Sequence, residues 1–338
     1  MSQMRVAQIN KAGADFELVS RGIPDPGPEQ VRIRVAACGI CHSDAFVVDG
    51  GFPGLQYPRV PGHEVIGTID ALGEDIDHWQ SGQRVGVGWH GGHCFSCDSC
   101  RSGDFVTCEH QQICGISYDG GYAEYMIAPA EALVAIPEAL SSVEAAPLLC
   151  AGVTTYNGMR HTGAKPGDVV AIQGIGGLGH LAVQYAHAMG FHTVALSRGT
   201  DKKDLALELG ADTYVDTEAE DAVAALQGLG GARVIVATAP NPKLMSSVID
   251  GLGVDGQLLV LGASPEPIEV SPFQLLMARR SVAGHPSGTP HDSEDTLNFS
   301  ALRDISTRIE TYPLDDVNAA YKRMIDNEAR FRVVLTME

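Results

Sequence analysis

Residues 168–189 read DVVAIQGIGGLGHLAVQYAHAM: an apolar run, a glycine-rich turn, then an apolar stretch with helical spacing. Gly174, Gly176 and Gly179 form G-x-G-x-x-G, with Gly177 and Leu178 completing the turn. A predicted strand precedes it and a predicted helix follows. In that context, missing side chains let the backbone come close to a pyrophosphate, and the helix start offers N–H donors and a favourable dipole. A simple tight turn is the alternative reading, and the flanking sequence decides against it.

Downstream, HTVALS, KKDLALEL, RVIVAT, KLMSSVID and QLLVLG continue the alternation of apolar strand and helix. This predicts a doubly wound parallel sheet covered by helices on both faces, a Rossmann-type α/β domain. Upstream the texture differs. Short β-rich runs such as 31–36, 64–70 and 84–87 are punctuated by Gly and Pro, which predicts a β-rich, barrel-like unit. A chain of 338 residues fits two domains. The expected division is 1–150 plus 286–338 for the β-rich domain and 151–285 for the dinucleotide-binding one. After about residue 285 the alternation stops, and the strand-like FRVVLT near the end is expected to return to the first domain.

The net charge of −19 argues against nucleic acid and against an anionic membrane surface. No run of about 20 apolar residues and no signal-peptide pattern is present, so the cytoplasm is the expected location. In that compartment the eight cysteines are expected as thiolates on metal, as catalytic groups or as buried small hydrophobes rather than as disulfides.

The segment HCFSCDSCRSGDFVTC, residues 93–108, spaces Cys94, Cys97, Cys100 and Cys108 as C-x2-C-x2-C-x7-C. A tight loop of this kind can bring four sulfurs around one zinc, leaving no position for water or substrate. An iron–sulfur centre is the rival reading, but the last gap exceeds that of the usual ferredoxin run. A second set is dispersed: Cys41 in GICHSD, His63 and Glu64 in VPGHEVIG, and Cys150 in LLCAGVTTY. Two Cys and one His from separate segments would leave one zinc position open, as catalysis requires.

GICHSD, GHE, the four-cysteine loop and the glycine turn in combination resemble the zinc-dependent medium-chain alcohol dehydrogenases, over nearly the whole chain. The resemblance implies a GroES-like catalytic domain beside the Rossmann domain and two zinc ions per chain. Cys41, His63 and Cys150 would hold the catalytic ion, with Glu64 near its water ligand. Cys94, Cys97, Cys100 and Cys108 would hold the structural ion. Asp44 would accept the second ring N–H of His63 and fix its tautomer. Ser43, beside His42, would pass a proton outward while a nicotinamide takes hydride, or serve only as a turn residue.

The acidic position that normally receives the NAD ribose falls on Ser197, followed by Arg198, Lys202 and Lys203. Loss of a carboxylate and gain of Arg favour a 2′-phosphate, so NADP is preferred and NAD stays possible. Arg332 would reach the pyrophosphate or form a surface salt bridge. Phe46 stands where some relatives carry a relay histidine; with Phe52 and Trp89 it is expected to wall the substrate pocket, unless all three are core aromatics. Pro290 stands where relatives often have Arg, and His285 and His291 are expected in loops. Cys38 and Cys114 are expected to be packing residues. The expected partners are a small alcohol, aldehyde or ketone and a second or fourth copy of the chain, as homodimer or homotetramer. A non-catalytic sensor or structural subunit is the alternative function.

Overall fold

The computed structural model describes residues 2–337. Its chain divides into two compact units: one runs to Val153 and resumes at Ser287, and the other is Thr154–Pro286.

In Thr154–Pro286, six parallel strands lie side by side in the spatial order Thr213–Asp216, His192–Ser197, Val169–Gln173, Ala232–Ala237, Leu252–Val260 and Ser281–Gly284. Strands covered on both faces read as continuous apolar runs, and Val170, Ala171 and Ile172 are all fully buried. The first strand of the unit in chain order, Val169–Gln173, pairs with His192–Ser197 on one side and Ala232–Ala237 on the other. Strand order therefore reverses at its C-terminal end, where the glycine turn begins, the position at which open α/β sheets bind ligands.

The other unit is built around one long strand, Gln30–Ile40. Val65–Leu72 pairs with it along one edge. Its other edge is shared, with Tyr125–Pro129 on residues 30–34 and Arg332–Thr336 on residues 37–40. Arg84–Val87, Leu133–Ala135 and Ile309–Pro313 extend the sheet, so the C-terminal segment does return to the first unit. One apolar core joins the two parts of this unit, running from Val6 and Ile33 to Val333 and Leu335.

The tail departs from expectation in one respect. Residues 290–302, where the alternation stops and His291 is expected in a loop, form the helix Pro290–Leu302. Thr289 caps it: its hydroxyl accepts the Asp292 N–H and the Asp292 carboxylate accepts the Thr289 N–H at 2.8 Å. Pro290 fits the first helical position, where an N–H would have no intrahelical partner. His291 thus sits on an exposed helical turn rather than in a loop. Truncating the fully buried Ile172 of the central parallel strand to Ala is expected to cost about 2–5 kcal/mol, read as a lower midpoint in urea unfolding.

Candidate metal centres and cofactor turn

The register of the long strand delivers the first cluster. Cys38 lies opposite Val65, and the Gly39 N–H donates to the Glu64 carbonyl at 3.0 Å. The residue leaving the long strand, Cys41, is thereby set beside the residues entering its neighbour, His63 and Glu64. Cys150 arrives from the short helical turn Ala146–Leu149. Its Sγ lies 3.6 Å from that of Cys41. One ligand atom from each of Cys41, His63, Glu64 and Cys150 falls within 4.8 Å of the others.

His63 is 2% exposed, and Asp44 is equally buried with Oδ1 3.2 Å from His63 Nδ1. Asp44 Oδ2 accepts the Cys41 N–H and the Tyr122 hydroxyl, each at 2.8 Å. Nδ1 is therefore the protonated nitrogen, and Nε2 is left facing the two sulfurs. Nε2 is buried and has no hydrogen-bond partner among the described residues. An orphaned buried acceptor beside two thiols is costly unless a cation completes it, and this donor set fits zinc. Trp89 and the His63 ring meet edge to face, centroids 5.0 Å apart.

Glu64 is fully buried and ion-paired with Arg332, itself 5% exposed. Of the two readings of Arg332, this excludes the surface salt bridge. The arginine is no surface residue, and its guanidinium is engaged by Glu64, since burying either charge alone would be strongly unfavourable. Burial pushes Glu64 up to about 7 even so, against the attraction of Arg332. Cys41 is drawn well below the ordinary thiol range, first by the Cys150 hydrogen bond and then, against burial, by His63 and Arg332. The same bond, with burial, holds Cys150 well above it. Burial pulls His63 down, but Asp44 and Cys41 outweigh it and raise it. Binding of a divalent ion by such a donor set would release that proton.

The four sulfurs of Cys94, Cys97, Cys100 and Cys108 also lie within 4.8 Å of one another. An ion about 2.3 Å from each sulfur sets tetrahedral edges of about 3.8 Å. The Cys94–Cys108 and Cys97–Cys108 separations are 3.6 and 3.9 Å. Backbone N–H groups of Cys97 and His110 point at Cys94 and Cys108 sulfurs, each at 3.3 Å, as thiolates require. The Ser96 hydroxyl and neighbouring N–H donors draw Cys94 down to about 5. Cys38 and Cys114 are buried outside both clusters, as expected.

In the other unit each glycine of the turn does a different job. Gly174 has φ +89°, and a Cβ on Gly179 would lie 1.8 Å from the Gly174 carbonyl oxygen, so helix and strand can meet only here without side chains. A Cβ on Gly176 would meet nothing within 4 Å. Its missing side chain relieves no contact within the protein, which fits a cradle left open for a ligand. Gly177 and Leu178 form the bend before the helix Gly179–Ala188. Ser197 ends its strand, Arg198 is exposed, and the Lys202 Nζ donates to the Ile175 carbonyl at 2.8 Å, which brings it onto the glycine turn. Asp216 is the register partner of Ser197, and its Oδ1 already accepts the N–H groups of Gly199 and Glu218.

Ser43 is half-buried and His42 exposed on the one-turn helix between Cys41 and Ala45. Phe46 meets Phe52 edge to face at 6.4 Å and is 39% exposed, while Phe52 and Trp89 pack on the core of their unit. Tyr122 escaped the sequence reading because it is 78 positions from its partner Asp44 and no spacing links them.

Comparison with known proteins agrees with this arrangement. Residues 27–138 match the alcohol dehydrogenase GroES-like domain family, and residues 177–301 match the zinc-binding dehydrogenase family. The alcohol dehydrogenase patD of Penicillium expansum is 46% identical over 340 residues, covering 99% of this chain and 98% of its own length. Among solved structures, a cinnamyl alcohol dehydrogenase of Sorghum bicolor is 30% identical with a TM-score of 0.89, covering 99% of this chain and 98% of its own. The Helicobacter pylori CAD complexed with NADP(H) is 26% identical with a TM-score of 0.86, again over 99% and 98%.

The glycine turn separates two expectations. Gly176→Ala should unfold at the wild-type urea midpoint yet bind dinucleotide at least 10-fold more weakly by calorimetric titration, whereas Gly179→Ala should lower the midpoint itself.

Proposed function

The chain belongs to the zinc-dependent medium-chain alcohol dehydrogenases, and from that premise we propose which of its residues perform each part of the interconversion of an alcohol and its aldehyde or ketone. The chain is an enzyme of that oxidoreductase class, with a GroES-like and a Rossmann-type domain, and it uses zinc and a nicotinamide cofactor. Nothing supports a non-catalytic role.

When bound, zinc supplies a Lewis acid for the substrate oxygen and the nicotinamide supplies the hydride carrier. We assign Cys41, His63 and Cys150 to the catalytic ion and the four-cysteine loop to a structural one, two ions per chain. The observation that carries this is the unpartnered His63 Nε2 buried beside two sulfurs 3.6 Å apart. Asp44 holds the His63 tautomer, and Arg332 holds Glu64 at the edge of the site. Ser43, whose rotatable hydroxyl can accept one proton while donating another, takes the proton of the substrate hydroxyl and hands it outward beside the exposed His42. Phe46 cannot carry a proton, so this route continues through His42, the cofactor ribose or water. Phe46, Phe52 and Trp89 wall the substrate side and favour flat or short substrates.

NADP is the preferred cofactor. Ser197 offers no carboxylate, Asp216 beside it has an oxygen engaged by two backbone N–H groups, and Arg198 is exposed at the strand end. A guanidinium there pairs with a 2′-phosphate better than with a hydroxyl. The solved Helicobacter relative carries the same class of cofactor. Self-association is supported by one end of the parallel sheet. Ser281–Gly284 is its edge strand, and Phe273, Leu276 and Met277, 73–78% exposed, precede it. A bare edge beside such an apolar patch suits isologous pairing with a second copy. No helix among the described residues is long and apolar enough to cross a membrane. Free cysteines gathered in metal-ligand sets suit the reducing cytoplasm.

Steady-state rates with NADPH and NADH across a panel of aldehydes and ketones test the cofactor assignment. NADPH is expected to be favoured, and Arg198→Ala to raise KM for NADPH about 10-fold while leaving that for NADH unchanged. Equal or better rates with NADH overturn it. Elemental analysis should find two zincs in the wild-type chain and one in Cys150→Ser, with turnover lost.

A further inference from the structure

We propose that Tyr122 is a positioning residue for the metal-binding imidazole of His63, acting through Asp44. The inference rests on the assignment of His63 as a ligand and extends it outward by one hydrogen bond. The Tyr122 side chain is fully buried, and its hydroxyl donates to Asp44 Oδ2 at 2.8 Å. Among the described residues Asp44 forms no ion pair with Lys or Arg. Its charge is balanced by the Cys41 N–H and the Tyr122 hydroxyl on Oδ2 and by the His63 ring on Oδ1. Burial, then the Asp44 charge, hold the phenol far above its ordinary range. The proton therefore stays on Tyr122, and the bond has one polarity.

Tyr122 also grips the backbone that presents the imidazole. Its N–H donates to the Pro61 carbonyl at 3.0 Å, and its ring covers Gly62, where a Cβ would lie 2.5 Å from the Tyr122 Cδ1. Gly62, at φ +104°, immediately precedes His63. One residue thus fixes the turn that carries the ligand and the carboxylate that orients it. The ring contacts need only a phenyl group, whereas the hydroxyl has Asp44 as its partner. Tyr122→Phe therefore separates packing from positioning. Without the hydroxyl, Oδ2 keeps a single donor and the carboxylate is free to turn away from Nδ1, so His63 is held less firmly in its ligating orientation. Direct outer partners of metal ligands are worth about 10–100-fold in metal affinity, and a group one bond further out acts more weakly.

The test uses the zinc-loaded full-length enzyme. Zinc release to pyridine-2,6-dicarboxylate is followed in wild type, Tyr122→Phe, Asp44→Asn and the double variant. Cys150→Ser, which keeps only the four-cysteine ion, assigns the kinetic phases. Tyr122→Phe is expected to speed release from the three-ligand site roughly 5-fold, leave the four-cysteine phase unchanged and shift the visible bands of the cobalt-substituted enzyme. The double variant should release at the Asp44→Asn rate, because the hydroxyl acts only through that carboxylate. The proposal is overturned if release stays within twofold of wild type, if both phases accelerate together, or if the two substitutions add independently. A wild-type chain showing only the four-cysteine phase would instead overturn the assignment of His63 as a ligand.

Discussion

The register of the strand Gln30–Ile40 is the constraint on which the cluster of Cys41, His63, Glu64 and Arg332 depends. Its last residues pair with the beginning of Val65–Leu72 on one side and the beginning of Arg332–Thr336 on the other. Cys41, His63, Glu64 and Arg332 therefore sit at neighbouring strand ends although nearly 300 positions separate the first from the last. A one-residue slip of a strand turns every side chain to the opposite face. The apolar core under the sheet, from Val31 and Ile33 to Val333 and Leu335, excludes that slip because it would expose those side chains. Core packing and ligand geometry are in this sense one requirement.

Around the cluster, each buried charge has a counterpart. Glu64 faces Arg332, Asp44 faces His63 and two neutral donors, and Cys41 faces Cys150. Isolated charges at this depth would be prohibitive, and breaking one pair would strand its partner. The network therefore holds together as a unit, to which a divalent ion, bound as proposed, would add a positive charge. The four-cysteine loop works differently. Its sulfurs are locally delivered and served by backbone N–H donors, so an ion bound there would substitute for a core the loop lacks.

Much of this was legible without coordinates wherever the information is local. The glycine turn announces itself within six positions, because its three glycines recur at a fixed short spacing between a strand pattern and a helix pattern. The four-cysteine loop does so within fifteen, because chain connectivity alone keeps the sulfurs close. The helix at 290–302 was missed although its capping residues Thr289, Pro290 and Asp292 are contiguous. Its apolar positions are sparse, so periodicity gave no signal.

By itself, the amino-acid order determined the two textures, the parallel sheet with its switch point at the glycine turn, and the four-cysteine grouping, since periodicity, turn chemistry and short spacings are properties of neighbouring residues. Only the tertiary structure decided that Arg332 belongs to Glu64, that Asp44 answers to Tyr122 as well as to His63, and that His63 Nε2 is the atom left for a cation. Those pairings join residues 78 to 268 positions apart. They follow from strand register and from the need of buried charges for partners, which take effect only once the chain has closed on itself.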